Sequence, residues 1–134
     1  MSSAALIAEL GLARHPEGGW FRETHRQPDP IGGRGLSTTI LFLLEEGERS
    51  HWHRVDAVET WFWHAGAPLL LRIEEKALLL GGDVLAGQRP QAIVPAHAWQ
   101  SAEADAGWAL VSCAVTPAFE FAGFQLAPPD WRPI

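Results

Sequence analysis

From residue 19 onward, short runs of β-branched, aromatic and aliphatic residues are repeatedly cut by glycine, proline or acidic turns. Strand signals cover 19–26, 36–45, 49–54, 57–65, 68–75, 90–94, 98–104, 107–116 and 119–126. Turn signals separate them at Pro28–Gly35, Glu46–Gly47, Gly66–Pro68, Gly81–Gly82, Asp105–Gly107 and Pro117. Many short strands at near-regular spacing predict an all-β sandwich or closed barrel, since each strand needs a second sheet to cover its apolar face. Segments 39–44 and 108–115 are apolar on both faces, which predicts cover from a second sheet inside and from a partner subunit outside. Residues 2–11 read as a short amphipathic helix ended by Gly11. The 134 residues make one domain, 1–134.

Charge narrows the range of partners. The chain carries a net charge of −6, a single lysine (Lys76) and nine scattered arginines. A nucleic-acid binder needs clustered cations, so none is expected as a partner. The apolar stretches 40–44 and 77–80 are too short to span a bilayer, so no membrane partner is expected. The opening SSAALIAELGLA lacks a basic leader and carries Glu9, so it does not read as a signal peptide, and a cytoplasmic location is expected. One cysteine, Cys113, forbids an intrachain disulfide or a thiolate zinc site; within WALVSCAV it reads as a buried, inert thiol. There is no tyrosine, so no phenol can act as acid or base. The seven tryptophans suit core positions and the walls of a ligand pocket.

Chemistry concentrates in GERSHWHRVDAVETWFWHAG (47–66). In an extended strand His51 and His53 point to the same face, because the side-chain period is two. Glu59 opens the next strand, and adjacency of the two strands would bring it to the imidazoles. Two histidines and one carboxylate suit a divalent metal or acid–base work. Counting by two from Glu59 reaches Trp61 and Trp63, which leaves His64 on the opposite face in a structural or surface role.

His-x-His, then Glu, then Gly66 resembles the first motif of the cupin superfamily. GQRPQAIVPAHAWQ (87–100) is the best match to the second motif, with His97 where a glycine is usual and Gln100 where the third metal-binding histidine would stand. The stretches HPEGGWFRETHR (15–26), STTILFLLEEGERSHWHRVDAVETWFWHAG (37–66), PQAIVPAHAWQSA (90–102) and VTPAFEFAGFQLA (115–127) are similar to one subfamily, cupin-5, the domain of unknown function 985. The resemblance implies a double-stranded β-helix (jelly-roll, cupin) barrel behind the short N-terminal helix, a homodimer, and a pocket in the barrel mouth. The metal set would be His51, His53 and Glu59, with Gln100 as a weak fourth ligand and iron, manganese, nickel or zinc as the ion.

Further pocket candidates follow within that frame. Gly18 and Gly19 suit a tight entry or a close backbone approach to a ligand. On the strand after them Trp20, Arg22 and Thr24 share one face, and Phe21, Glu23 and His25 the other. Trp20, Glu23, Ser37, Thr39, Gln91, Trp99 and Gln100 are the expected substrate-binding residues, and His51, His53 and Glu59 the catalytic ones. The expected ligand is a small polar metabolite. The chain then reads as an enzyme using metal-assisted or acid–base chemistry. The alternatives are a sugar- or nucleotide-binding module without catalysis, a barrel with a vestigial pocket, and a metal-free isomerase of the deoxysugar-epimerase type. Those epimerases use a tyrosine acid, so here Glu59 or a second histidine would have to supply the proton.

Overall fold

The computed structural model describes residues 1–133. Helix α1 (Ser3–Leu10) is capped at its start by the Ser2 hydroxyl, which accepts from the Ala5 N–H at 3.1 Å, and at its end by Gly11 in the left-handed region. Eleven strands follow: β1 (Ala13–Arg14), β2 (Trp20–Gln27), β3 (Ser37–Leu44), β4 (Arg49–Val55), β5 (Val58–Gly66), β6 (Leu69–Ile73), β7 (Lys76–Leu80), β8 (Gln91–Val94), β9 (Gln100–Glu103), β10 (Ala109–Thr116) and β11 (Phe124–Leu126). They form two sheets, ordered β1-β2-β3-β10-β5-β8 and β11-β4-β9-β6-β7, with every neighbouring pair of strands antiparallel. This is the expected all-β double-stranded β-helix. No helix is long and apolar enough to cross a membrane.

Besides the two-residue β1, which was not expected, two elements depart from the sequence expectation. The run 77–80, too short and uniform to show alternation, is the return strand β7, turned at Glu74 (φ +53°). The segment 119–126 keeps only three strand residues, because Phe121–Gly123 winds into one 3-10 turn.

Alternation decides which side chains go inside. Along β10, Ala109, Val111, Cys113 and Val115 are buried while Leu110, Ser112 and Ala114 are only half covered. The same face continues through Phe42 and Leu44 of β3 and Trp61 of β5, which meet Leu69, Leu71 and Ala102 of the second sheet. That half of the barrel is solid. Toward the other end the inward positions become Thr38 and Ile40 on β3, Glu59 on β5, His53 and Val55 on β4, and Val115 on β10, and these enclose a cavity of about 330 Å³.

Candidate functional site

A bulge in β4 positions the histidines. Ser50 pairs with Ala102 and His53 with Gln100, so three steps on β4 match two on β9. Ser50 and His53 therefore both point inward, at 0% and 2% exposure, and His51 does not. The expectation that His51 and His53 share a face is overturned here. The His51 N–H leaves the ladder to donate to the Glu17 carbonyl at 2.8 Å, and its Nε2–H donates to the Pro128 carbonyl at 2.8 Å, outside the cavity.

The turn that reaches β4 is HPEGG. Gly18 and Gly19 lie at φ +107° and +83°, and a Cβ on Gly18 would stand 2.1 Å from the Arg49 carbonyl oxygen. The glycine pair lets the turn press on the β4 backbone, which lowers Glu17 into the barrel. There Glu17 Oε2 accepts from the Ser50 hydroxyl and lies 3.5 Å from His53 Nε2, while Oε1 lies 3.3 Å from His15 Nδ1. His15 Nδ1 also accepts from the Glu17 N–H at 3.1 Å, so in the neutral ring the proton sits on Nε2. His15 and Glu17 are, with Thr38 and Arg26, cavity residues that sequence reasoning missed. His15 and Glu17 lie in a turn where strand parity says nothing, and the only signal was the glycine pair after them.

Glu59 enters from the opposite sheet. β4 and β5, whose adjacency would have brought Glu59 to the imidazoles, belong to different sheets, so Glu59 faces His53 across the barrel interior. Its carboxylate accepts from Gln100 Nε2 at 2.7 Å, and Gln100 Oε1 accepts from Trp61 Nε1 at 2.9 Å. The indole can only donate, so it fixes the amide with its NH₂ toward Glu59. Burial, and then the charge of Glu59, pushes the Cys113 thiol well up.

Burial sets the protonation of the cluster. It pushes Glu17 up to about 8, against the Ser50 hydrogen bond, and raises Glu59, with the Glu17 charge adding to it and His53 opposing. It also holds His15 down to about 4, with His53 contributing, and lowers His53 against the attraction of Glu59. His53 Nδ1–H donates to the His51 carbonyl at 2.7 Å. Its Nε2 lone pair is thereby left on the Glu17 side of the ring.

Phe21, Phe119, Phe121 and Phe124 wall the cavity, and Glu23, Arg26 and Glu120 stand around its mouth. A second bulge, in β2 between Glu23 and His25, explains the mouth. It sends Arg26 rather than His25 inward, and Arg26 grips both oxygens of Glu23 at 2.8 and 3.2 Å.

The other expected residues scatter. Trp20 stands on the face opposite Phe21, with the Arg14 guanidinium 4.8 Å from its ring centroid. Thr39 faces away, bonded to Thr24, and Ser37 is not part of the cavity; Thr38 takes the inward place and accepts from the Phe119 N–H at 3.0 Å. Gln91 is exposed on the edge strand β8. Trp99 lies outside, between Arg54 and Trp131. His64 is exposed and bonded to Ser112, as its parity predicted.

The set His51, His53, Glu59 and Gln100 thus does not converge as metal ligands: His51 faces elsewhere and the Gln100 amide is spent on Glu59 and Trp61. Among the described residues no three histidine, cysteine, aspartate or glutamate side chains meet in metal-holding geometry.

No curated protein matches the chain. An X-ray crystal structure of a protein from Shewanella oneidensis is 37% identical, with a TM-score of 0.88 over 95% of this chain and 85% of that one. A hypothetical protein from Leishmania major is 31% identical, with a TM-score of 0.85 over 95% and 88%. Streptomyces PAC13 with uridine shares the fold at 17% identity, with a TM-score of 0.62 over 85% and 82%. Residues 4–127 match the family described as Cupin superfamily (DUF985), and with a barrel of that architecture the chain belongs to it.

Proposed function

We propose that the cavity is an enzyme active site performing acid–base chemistry on a small polar metabolite, with His53 as base and Glu17 as acid. One observation carries this reading. His53 is locked by the His51 carbonyl so that its Nε2 lone pair lies 3.5 Å from a carboxyl group that burial keeps protonated. Titratable groups whose surroundings drive their pKa values apart are the arrangement that general acid–base catalysis needs. His53 Nε2 takes a proton from a carbon beside a carbonyl, and Glu17 gives its proton to the carbonyl oxygen. Return of a proton to carbon and of one to Glu17 completes an isomerisation with no net change in the protein. Glu17 fills the acid role that the missing tyrosine leaves open. His15 and Ser50 hold the Glu17 carboxyl in place, and Glu59, clamped by Gln100, lies across the barrel from them.

Solvent-deuterium wash-in, followed by proton NMR on reducing sugars, nucleosides and α-hydroxy carbonyl compounds, detects proton abstraction without knowledge of the product. Exchange at one carbon, slowed at least about 100-fold by His53→Gln or Glu17→Gln, is the expected result. Compounds that bind in the cavity without any exchange would make this a binding module instead. Pairing of two copies is part of the same proposal, through the outer face of the first sheet, where Leu41, Phe62 and Leu110 are only half covered.

A further inference from the structure

We infer that the cavity admits an uncharged polyhydroxylated ring, either a free sugar or the sugar of a nucleoside, and turns away the phosphorylated counterpart. The inference rests on the cavity being the active site proposed above, and three features carry it. The inner end offers hydrogen-bonding groups without fixed cations: His15, His53, Glu17 and Glu59. Such a set can both donate to and accept from hydroxyl groups. The walls are phenyl rings, Phe21, Phe119, Phe121 and Phe124, which suit the C–H face of a sugar ring. The volume, about 330 Å³, is at the small end for ligand sites and suits one or two rings rather than an extended chain.

Charge at the mouth supplies the selectivity. Among the described residues lining the cavity, Arg26 is the single guanidinium or ammonium. Its Nε and Nη2 are already committed to both oxygens of Glu23, and Nη2 also donates to the Phe119 carbonyl at 2.9 Å. Glu120 adds a second carboxylate to the rim. A phosphate entering here would find only Arg26 Nη1 outside these bonds and would sit against two carboxylates. The nearby Arg34 offers no help, because Asp56 holds both of its terminal nitrogens, at 2.8 and 3.0 Å. Glu23 and Glu120 are therefore specificity-determining residues that reject anions.

The test is a binding comparison at low salt by isothermal calorimetry and ligand-observed NMR. The probes are glucose, galactose, uridine and thymidine, each beside its monophosphate. Wild type and His53→Gln are both used, so that binding is read with and without turnover. The expected result is that at least one neutral probe binds and that its phosphate binds at least tenfold more weakly. Glu23→Gln/Glu120→Gln should then raise affinity for the phosphate at least threefold. A phosphate that binds as tightly as its parent or tighter overturns the inference, as does failure of all four neutral probes at millimolar concentration. The two readings fail separately. Neutral binding without deuterium exchange removes the acid–base chemistry and leaves the selectivity, whereas exchange in a phosphorylated probe at least as fast as in its parent removes the selectivity and leaves the chemistry.

Discussion

Replacing Gln100 with leucine tests the least visible part of the site, the amide between Trp61 and Glu59. Gln100 is 1% exposed and Trp61 1%, so neither partner can turn to water. Leucine is similar in size, so little cavity is left. The Trp61 N–H, however, loses its acceptor, and an unsatisfied buried donor costs about 1–3 kcal/mol. Glu59 loses a 2.7 Å amide donor, worth about 1 kcal/mol or somewhat more. Burying leucine in place of an amide returns about 1 kcal/mol. The balance is a loss of about 1–3 kcal/mol, read as a lower urea midpoint at unchanged m-value. Trp61→Phe removes the same hydrogen bond from its other end. The double variant should then be less destabilised than the sum of the singles, by about 1 kcal/mol or more. Additivity within about 0.5 kcal/mol, or a Gln100→Leu loss below that value, would refute the clamp.

The buried carboxyl sets a pH dependence. Glu17, at 4.5 in the unfolded chain and about 8 in the fold, keeps its proton where the unfolded chain has lost it. Its contribution to stability therefore falls as pH rises between those values, by about 1.4 kcal/mol per pH unit. His15, moved from 6.5 to about 4, acts in the opposite sense only below 6.5, so the fall should emerge between pH 6.5 and 8 and become shallower in Glu17→Gln, with Glu59, also raised by burial, carrying what is left. Urea melts that stay flat for wild type across that window would contradict the placement of Glu17. His53→Ala should cost about 2–4 kcal/mol, because it empties a buried, hydrogen-bonded position, whereas His51→Ala should cost about 1 kcal/mol or less. Equal losses in chemical denaturation would argue against the bulge. Gly18→Ala should cost at least about 2 kcal/mol, from its positive φ and the clash with the Arg49 carbonyl, and should also reduce deuterium wash-in; an unchanged melting temperature would argue against the tight turn.

The barrel was legible because strand alternation and turn residues report local physics. Whether Thr38 or Thr39 faces inward was not legible. In STTILFLL both faces are apolar further along: Phe42 and Leu44 are buried inside, and Leu43 is 0% exposed on the other side. Alternation picks a face only where one face is polar. The strand β7 escaped for a related reason, since a run of three leucines carries no period of two.

The site resisted for a different reason. Parity counting assumes an unbroken ladder, and two of the strands that line the cavity break it, β4 between Ser50 and His53 and β2 between Glu23 and His25. A bulge changes the inward set by one residue, and so exchanges His51 for Ser50 and His25 for Arg26. What holds the β4 bulge is distant in sequence: the His51 N–H bond to the Glu17 carbonyl spans 34 positions and depends on two glycines that press one backbone onto another. Those glycines were readable as a close approach, but not as an approach to β4 rather than to a ligand. The turn that breaks the ladder also delivers Glu17. Loss of the His51 pairing and gain of the Glu17 acid are therefore one structural event, and a chain that restored the His-x-His parity would have to withdraw the acid from the cavity.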